Sequence, residues 1–495
     1  DLGTAESGEL LVAELSCVSC HASGNSALSP KRGPTLAGAA NRFSSQWLRE
    51  YLASPTSQKP GTTMPHMLAG LDPEQQQAAI VEEPEPKARA AQLCVASSLR
   101  ALQALSGEIA GRTKAIKFAL TGSVGKTGTK DMLVQMLTNF GSTHATKGNY
   151  NNHIGAPLTL VQMPEDTQFL VCELGMNHAG EIADLSAIVK PAIAAITCIA
   201  DSHIGHFDCL QQIADAKAEL FSSFTAGGTA ILPRDDAFFI HLKTAAETAG
   251  ASRILSFGTH PESSFRLTEA QREKDGLRLT IDYPCDKNND QIKSITFGLA
   301  MTARHWAVNA ACALAMSAAA GLDVRTAAAS LSNFGDLPGR GKTIGLKLGG
   351  HPVNLIDDSY NAGPTSMKAA LETLAELPGQ HGVILSDMLE LGVFSTEAHQ
   401  ALVAQIIEAK IRWVVAIGPQ MTAMTHDLPD SINSICHPNS ISALSTLDHD
   451  LALLAKRTDN LLVKGSHGSG AYLISRHLAE TYSKVSAAKE MHHAS

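Results

Sequence analysis

The chain is short of the features that would assign it to several large classes of protein. Aromatic residues make up 5% and charged residues 18% of its 495 positions, which excludes the strongly charged, core-poor composition of a disordered chain. A cationic excess is missing too. Lys and Arg total 39 against 48 Asp and Glu, the formal net charge is −9, and no basic run is present, which argues against a nucleic-acid partner. No apolar run approaches the roughly 20 residues of a membrane span, so no transmembrane helix is predicted. Of the nine cysteines only Cys17 and Cys20 are closely spaced, and the scattered remainder suits reduced, buried thiols rather than a disulfide framework. Internal repeats and long low-complexity tracts are also lacking. What remains, at 44% hydrophobic, is a globular chain long enough for about three domains.

Against that background Thr121-Gly-Ser-Val-Gly-Lys-Thr127 stands out. The mostly apolar Ile116-Lys-Phe-Ala-Leu120 before it reads as a short buried strand, and Asp131-Met-Leu-Val-Gln-Met-Leu137 after it as a helix. Gly122, Ser123 and Gly125 let backbone N–H groups converge on a phosphate, and the helix start adds its positive end. In that reading Lys126 reaches the β- and γ-phosphates, and the Thr127 hydroxyl ligates Mg²⁺. Leu120 holds the place of the first glycine of GxxxxGK[ST], so the loop alone is also compatible with an ordinary Gly/Ser turn.

The apolar Phe169-Leu-Val-Cys172 ends in Glu173. A carboxylate at the C-terminal end of a parallel strand beside such a loop is where a nucleotide's Mg²⁺ finds its second ligand. Alone, Glu173 reads equally as a strand-edge surface charge. Between loop and strand lies the amide-rich turn Lys147-Gly-Asn-Tyr-Asn-Asn152. His203 follows another strand, on what should be the same crevice face, and Lys217 sits on a helix-like stretch.

Residues 1–80 form one compositional unit, followed by the charged, proline-bearing linker Val81-Glu-Glu-Pro-Glu-Pro-Lys87 and a helical pattern over 93–110. From 115 to 337, strand-like runs (Phe169–Cys172, Ile193–Ile196, Thr229–Leu232) alternate with helical ones, which argues a parallel α/β sheet. Residues 262–300 alternate at period two and predict a small antiparallel insertion. After Pro338-Gly-Arg340, runs at Val353–Ile356, Gly382–Leu385, Trp413–Ala416 and Leu461–Val463 predict a second, smaller doubly wound domain over 338–495.

The series TGSVGKT, GNYNNHIGAPLTL, ELGMNHAGEI, SHIGHF, AKAE, ARHWAVNA, PGR, DDSYNAGPTSM, DMLELG and VKGS resembles the Mur ligases from about residue 80 onward. DDSYNAGPTSM and DMLELG favour the branch that joins D-alanyl-D-alanine to UDP-N-acetylmuramoyl-tripeptide over folate- or cyanophycin-type relatives. The resemblance implies an ATP- and Mg²⁺-dependent amide-bond ligase of peptidoglycan precursor synthesis, acting in the cytoplasm through an acyl phosphate. It also implies roles by position. Lys126 and Thr127 would bind phosphate and a first Mg²⁺ with Glu173, and His203 would stand near a second. Lys217 lies where these ligases carry a carbamylated lysine facing that second metal, and Asn309 would face the adenine. Arg340 would touch the phosphates from the hinge, Asp358, Tyr360 and Asn361 would add nucleotide contacts, and Lys464 would line the closed site. Taken alone, Lys217 also reads as a solvated helix lysine and Arg340 as a surface turn residue. Three positions depart from the family: Trp306 and Gly363 where Asn is usual, and Ser386 for a common Gly.

Cys17-Val-Ser-Cys-His21 is the attachment pattern for c-type haem, with two thiols for the vinyl groups and His21 for the iron. With Gly33-Pro34, a helix through Trp47–Leu52 and Met64-Pro65, the segment resembles a class I cytochrome c, a small all-α domain over 1–80. Met64 matches the axial methionine, with Met67 a weaker choice; a zinc site of Cys17, Cys20 and His21 with His66 as fourth ligand, or a chance CxxCH, are the alternatives. Such a domain would need a redox partner and periplasmic maturation, in conflict with cytoplasmic ATP chemistry. The family's UDP-gripping N-terminal domain is expected to be almost absent, leaving only a remnant within 81–114. Two further readings therefore stay open: a haem c electron-transfer protein with an inert Mur-like portion, and an artificial or mis-assembled chimera.

Overall fold

In the computed structural model, which describes residues 79–81, 92–94, 97–202, 204–273, 276–285, 291–335, 337–455 and 457–483, the chain divides into two compact units. The first comprises Asp1–Arg112 with Pro157–Pro164, and the second Thr113–Ala156 with Glu165–Ser495. Cys17, Cys20, His21, Met64 and Met67 lie outside the described residues, as does His203 of the second unit.

In the first unit, β1 (Ala79–Val81) and β2 (Gln92–Cys94) pair in parallel, and α1 (Ser98–Arg112) follows. The helical pattern over 93–110 is thus entered later than the sequence predicts. Ser97 explains the start: its carbonyl accepts from Ala101 N (3.0 Å), and its hydroxyl accepts from Arg100 N (3.3 Å), as an N-cap does.

The second unit carries two sheets. β3 (Ile116–Thr121) leads through the glycine loop into α2 (Lys126–Thr138), and β4 (Thr143–Ala145) precedes α3 (Gly155–Val161), which from Pro157 onward is assigned to the first unit. Then come β5 (Phe169–Glu173), α4 (Glu181–Val189), β6 (Ile193–Ile196), α5 (Leu210–Ala218), β7 (Thr229–Pro233), α6 (Phe239–Thr248) and β8 (Arg253–Gly258). β9 (Phe265–Glu273), β10 (Gly276–Pro284) and β11 (Ile292–Leu299) complete a nine-stranded sheet in the order β11-β10-β9-β8-β7-β6-β3-β5-β4. Strands β3 to β8 are parallel; β3, β5, β6 and β7 are buried on both faces, as their near-continuous apolar runs require, while the edge strand β4 is half-buried throughout. The period-two segment does not stand apart as an insertion. Phe265 pairs with Phe257, so β9 to β11 extend the same sheet in antiparallel fashion. Their buried face (Leu277, Leu279, Ile281) joins the core beneath α7 (His305–Ala319) and α8 (Val324–Ser330).

β12 (Lys342–Leu348) and β13 (His351–Asp358) form an antiparallel pair. After α9 (Pro364–Ala375) come β14 (His381–Ser386), α10 (Ser395–Gln400), α11 (Leu402–Glu408), β15 (Ile411–Ile417) and α12 (Pro419–Thr425). β16 (Asn433–His437), α13 (Ser440–Leu454), β17 (Asn460–Lys464) and α14 (Ala471–Tyr482) close the chain order. The second sheet runs β12-β13-β17-β14-β15-β16, parallel except for β12. Alternate residues serve two cores: Ile384, Trp413 and Val415 face one, Val383, Leu385 and Val414 the other. That is a doubly wound layer.

Candidate active site

β3 lies between β5 and β6, where the chain reverses its direction of winding, and ligand crevices open at the carboxyl ends of strands at such a point. The glycine loop sits there. Gly125 has φ +83°, and a Cβ built on it would stand 2.7 Å from Asn309 Oδ1, so only glycine fits. Gly122 (φ +150°) is pressed against Thr197, whose hydroxyl donates to Val124 O at 2.5 Å. Ser123 is used structurally: its hydroxyl donates to Ala200 O and accepts from Ala200 N, both at 2.8 Å. This ties the loop to the segment that leads to residue 203.

Lys126 folds back over the loop, donating to Gly122 O (2.6 Å) and Ser123 O (3.2 Å). Desolvation pushes its ammonium below the ordinary lysine value, against the pull of Glu173. Thr127 donates to Glu173 Oε1 at 3.2 Å, and Asn151 Nδ2 donates to the same oxygen at 2.8 Å. Glu173 is 1% exposed, yet its Oε2 has no hydrogen-bond partner. A buried carboxylate oxygen left unmatched beside a threonine hydroxyl is a hard donor set that fits an oxygen-seeking cation such as Mg²⁺. No group of three or more His, Cys, Asp or Glu side chains suited to a metal occurs among the described residues. A cation held by Thr127 and Glu173 would also accept oxygen ligands from a phosphate and water.

Lys217, on α5, is 1% exposed, and its pKa is driven well down, first by burial and then by the like charge of Lys126. It is not a solvated helix lysine.

The second sheet contributes its own group. Arg340 lies 4.0 Å over the ring of Tyr360, and its charge bears on Lys126 and Asp131. Lys464 is buried, and its Nζ donates to Asp358 Oδ2 (2.6 Å) and Asn361 O (3.0 Å). Asp358 and Lys464 are cross-strand partners on β13 and β17, so backbone register fixes the pair. The hinge turn, though, is held by Asp357, which accepts from Gly339 N (2.9 Å) and from the Ser359 hydroxyl (2.5 Å).

Sequence reasoning missed three residues of this region. Asp357 was hidden beside Asp358, because only strand alternation tells which carboxylate faces the turn. His305 opens α7 in the range of Asp358, Lys464 and Arg340. The residue is exposed, yet desolvation by the groups packed around it pushes its imidazole down to about 4. Lys130, on α2, is 2% exposed with its ammonium 3.8 Å from Glu173 Oε2; nothing in a helical pattern separates such a lysine from a solvated one.

The three departures from family pattern fall beside these groups. Trp306 turns into the core over Gly128, Ser386 packs against Gly465, and Gly363 precedes α9 with its N–H bonded to Ser366 Oγ (3.0 Å).

Comparison with known proteins agrees with this arrangement. Residues 120–317 match the Mur ligase middle domain, and residues 339–467 match the Mur ligase glutamate ligase domain. The chain is 33% identical to the UDP-N-acetylmuramoyl-tripeptide--D-alanyl-D-alanine ligase of Rickettsia prowazekii over 377 residues, covering 76% of this chain and 81% of that one. A crystal structure of MurF from Acinetobacter baumannii superimposes with a TM-score of 0.72 at 30% identity, over 81% of this chain and 84% of that one. MurF ligase from Thermotoga maritima, solved in complex with ADP, shares the fold at a TM-score of 0.68 and 23% identity, over 82% of this chain and 88% of that one. With the glycine loop, the buried glutamate and both sheets in family order, the chain belongs to the Mur ligase family, and within it to the MurF-type ATP-dependent ligases.

Proposed function

We propose that the chain adds D-alanyl-D-alanine to UDP-N-acetylmuramoyl-tripeptide in the cytoplasm, at the expense of ATP. The observation that carries the reading is the buried Thr127–Glu173 pair, with its unmatched oxygen, at the mouth of the glycine loop. The tripeptide carboxylate attacks the γ-phosphorus, the bond to ADP breaks, and an acyl phosphate forms. The dipeptide amine then attacks the acyl carbon, phosphate leaves, and the amine proton passes to solvent. Thr127 and Glu173 would hold Mg²⁺, whose charge would offset the repulsion between a carboxylate nucleophile and a phosphate.

The residues divide the remaining work. Loop N–H groups of Gly122, Ser123 and Gly125 cradle phosphate, and Lys126 swings from its backbone acceptors to the β- and γ-oxygens. Lys217, depressed in pKa by burial, is a neutral amine suited to carbamylation; its added carboxylate, with His203, would face a second Mg²⁺. Asn309 borders the adenine side of the loop. Arg340, Asp358, Tyr360, Asn361 and Lys464 complete the nucleotide contacts from the 338–495 domain, while 115–337 forms the ATP-binding domain.

Lys126→Ala tests the reading. Phosphate release dependent on tripeptide and D-alanyl-D-alanine should fall by at least about 10³-fold with the thermal midpoint retained; turnover near wild type would refute the phosphate assignment. Lys217→Ala should lose ligation and regain part of it with a short carboxylic acid in the buffer.

A haem c domain over 1–80, remnant substrate domain over 81–114, is a separate part of the proposal. It rests on Cys17, Cys20 and His21 with Met64, all outside the described residues. A covalent Soret band that disappears in Cys17→Ala/Cys20→Ala would support it and call for a redox partner. Full-length protein without haem absorbance, matured with the periplasmic attachment machinery, would remove it.

A further inference from the structure

Outside the groups already assigned, α2 carries one more buried ammonium, that of Lys130. Its ammonium donates to Thr146 O (2.9 Å) and Gly148 O (2.6 Å), lies 3.3 Å from Asp131 Oδ1, and stands 3.8 Å from Glu173 Oε2. A lysine this deep is expensive for a fold, and an apolar side chain would serve packing on the inner face of α2 better. What the charge obtains in return is the loop. Residues 147–150 are exposed, yet the segment is fastened at both ends and from below. Thr146 Oγ1 accepts from Glu173 N (3.1 Å), Asn151 O accepts from Gly175 N (2.8 Å), and Asn151 Nδ2 reaches Glu173 Oε1 (2.8 Å). Lys130 holds the middle by its carbonyls.

We propose that Lys130 is a positioning residue: with Asn151 it forms one clamp that fixes the 146–151 loop against Glu173 and leaves Oε2 as the oxygen presented to a cation. The geometry explains the division of labour on the carboxylate. Oε1 is consumed by Thr127 and Asn151, whereas Lys130 faces Oε2 at a distance too long for a hydrogen bond. Its ammonium faces that oxygen without occupying it.

The inference rests on the ligase reading, and its test separates the two. Full-length wild type, Lys130→Met, Asn151→Ala and the double variant are titrated with Mn²⁺ in the presence of a non-hydrolysable ATP analogue, read by electron paramagnetic resonance. Amide exchange of the peptide covering 146–153 is measured in nucleotide-free protein. Lys130→Met should raise the half-saturating Mn²⁺ concentration about tenfold and speed loop exchange by a similar factor. Asn151→Ala should weaken Mn²⁺ comparably, and the double variant no more than the worse single one, the signature of a shared unit. Should Lys130→Met not fold, Lys130→Gln takes its place in the same cycle. Unchanged half-saturation and exchange, or additive effects, would overturn the clamp while leaving the ligase reading intact. A wild type that binds no Mn²⁺–nucleotide would overturn both.

Discussion

A glycine in the first turn of α2 looks like a weakness, since Gly costs about 1 kcal/mol relative to Ala inside a helix. Gly128 is explained by its neighbour. A Cβ there would stand 2.3 Å from Trp306 Cζ3, so the family departure at 306 and the helical glycine form one packed pair. Ser386 and Gly465 make a second such pair, where a Cβ on the glycine would meet Ser386 Oγ at 1.6 Å. Gly128→Ala should therefore destabilise by about 1–3 kcal/mol through overpacking, opposite in sign to the propensity effect. Urea denaturation checks it, and Trp306→Leu in the same chain should recover most of the loss. A stabilised Gly128→Ala protein would show that Trp306 yields without cost.

Strand alternation decides what the sequence leaves ambiguous. In Asp357-Asp358 the two carboxylates leave β13 on opposite faces, one to the Gly339 turn and one to Lys464. Asp358→Asn leaves the buried Lys464 ammonium without its counter-charge and should cost about 2–4 kcal/mol, whereas Asp358→Asn with Lys464→Met should cost much less. Thermal denaturation of the four proteins supplies the cycle. A second element-level contact joins the two sheets' loops. Gly205 N donates to Glu390 O (3.1 Å), and a Cβ on Gly205 would stand 2.6 Å from Gly392 N. Asp201 accepts nearby from the Thr365 hydroxyl (3.0 Å). Gly205→Ala should lower kcat about tenfold or more with nucleotide affinity nearly unchanged, because it wedges the halves apart without touching the glycine loop. Equal losses in nucleotide affinity and kcat would place the damage in the loop instead.

At the scale of the molecule, much of the fold was legible because buried parallel strands are written as near-continuous apolar runs: β3, β5, β6, β7, β14, β15 and β17 stand where such runs occur, and β13 where alternation marks a half-buried strand. β12 and β16 were not legible. Lys342–Leu348 and Asn433–His437 are half-exposed strands whose alternation is diluted by polar residues, and only pairing with a neighbour makes them strands. The glycine loop and Glu173 could be read as a motif; Lys130, which faces Glu173, and Asp357, which holds the hinge turn, are ordinary residues until tertiary burial gives them a role.

Burial also sets how the whole molecule answers acid. His381 and His399 are pushed below the ordinary imidazole value by burial; His467 and His305 are exposed but desolvated on their packed sides, which lowers both, His305 to about 4. His399 shows why a proton is refused: Nδ1 pairs with Ser395 O (2.7 Å) as donor, while Nε2 accepts from Met388 N (3.0 Å), so both nitrogens are already committed. In the unfolded chain these rings titrate near 6.5. Below that pH the unfolded state holds more protons than the native state, so stability is fully present above about 6.5 and is lost as pH falls toward each native value. For His305 the loss continues to about 4. The raised carboxylate of Asp131 acts in the opposite sense, but only where carboxylates titrate. The urea midpoint should thus fall steadily between pH 7 and pH 5, and His399→Gln, whose amide oxygen can accept from Met388 N without titrating, should flatten part of that slope. A midpoint constant across this interval would mean that the four rings take up protons in the native state as readily as in the unfolded chain.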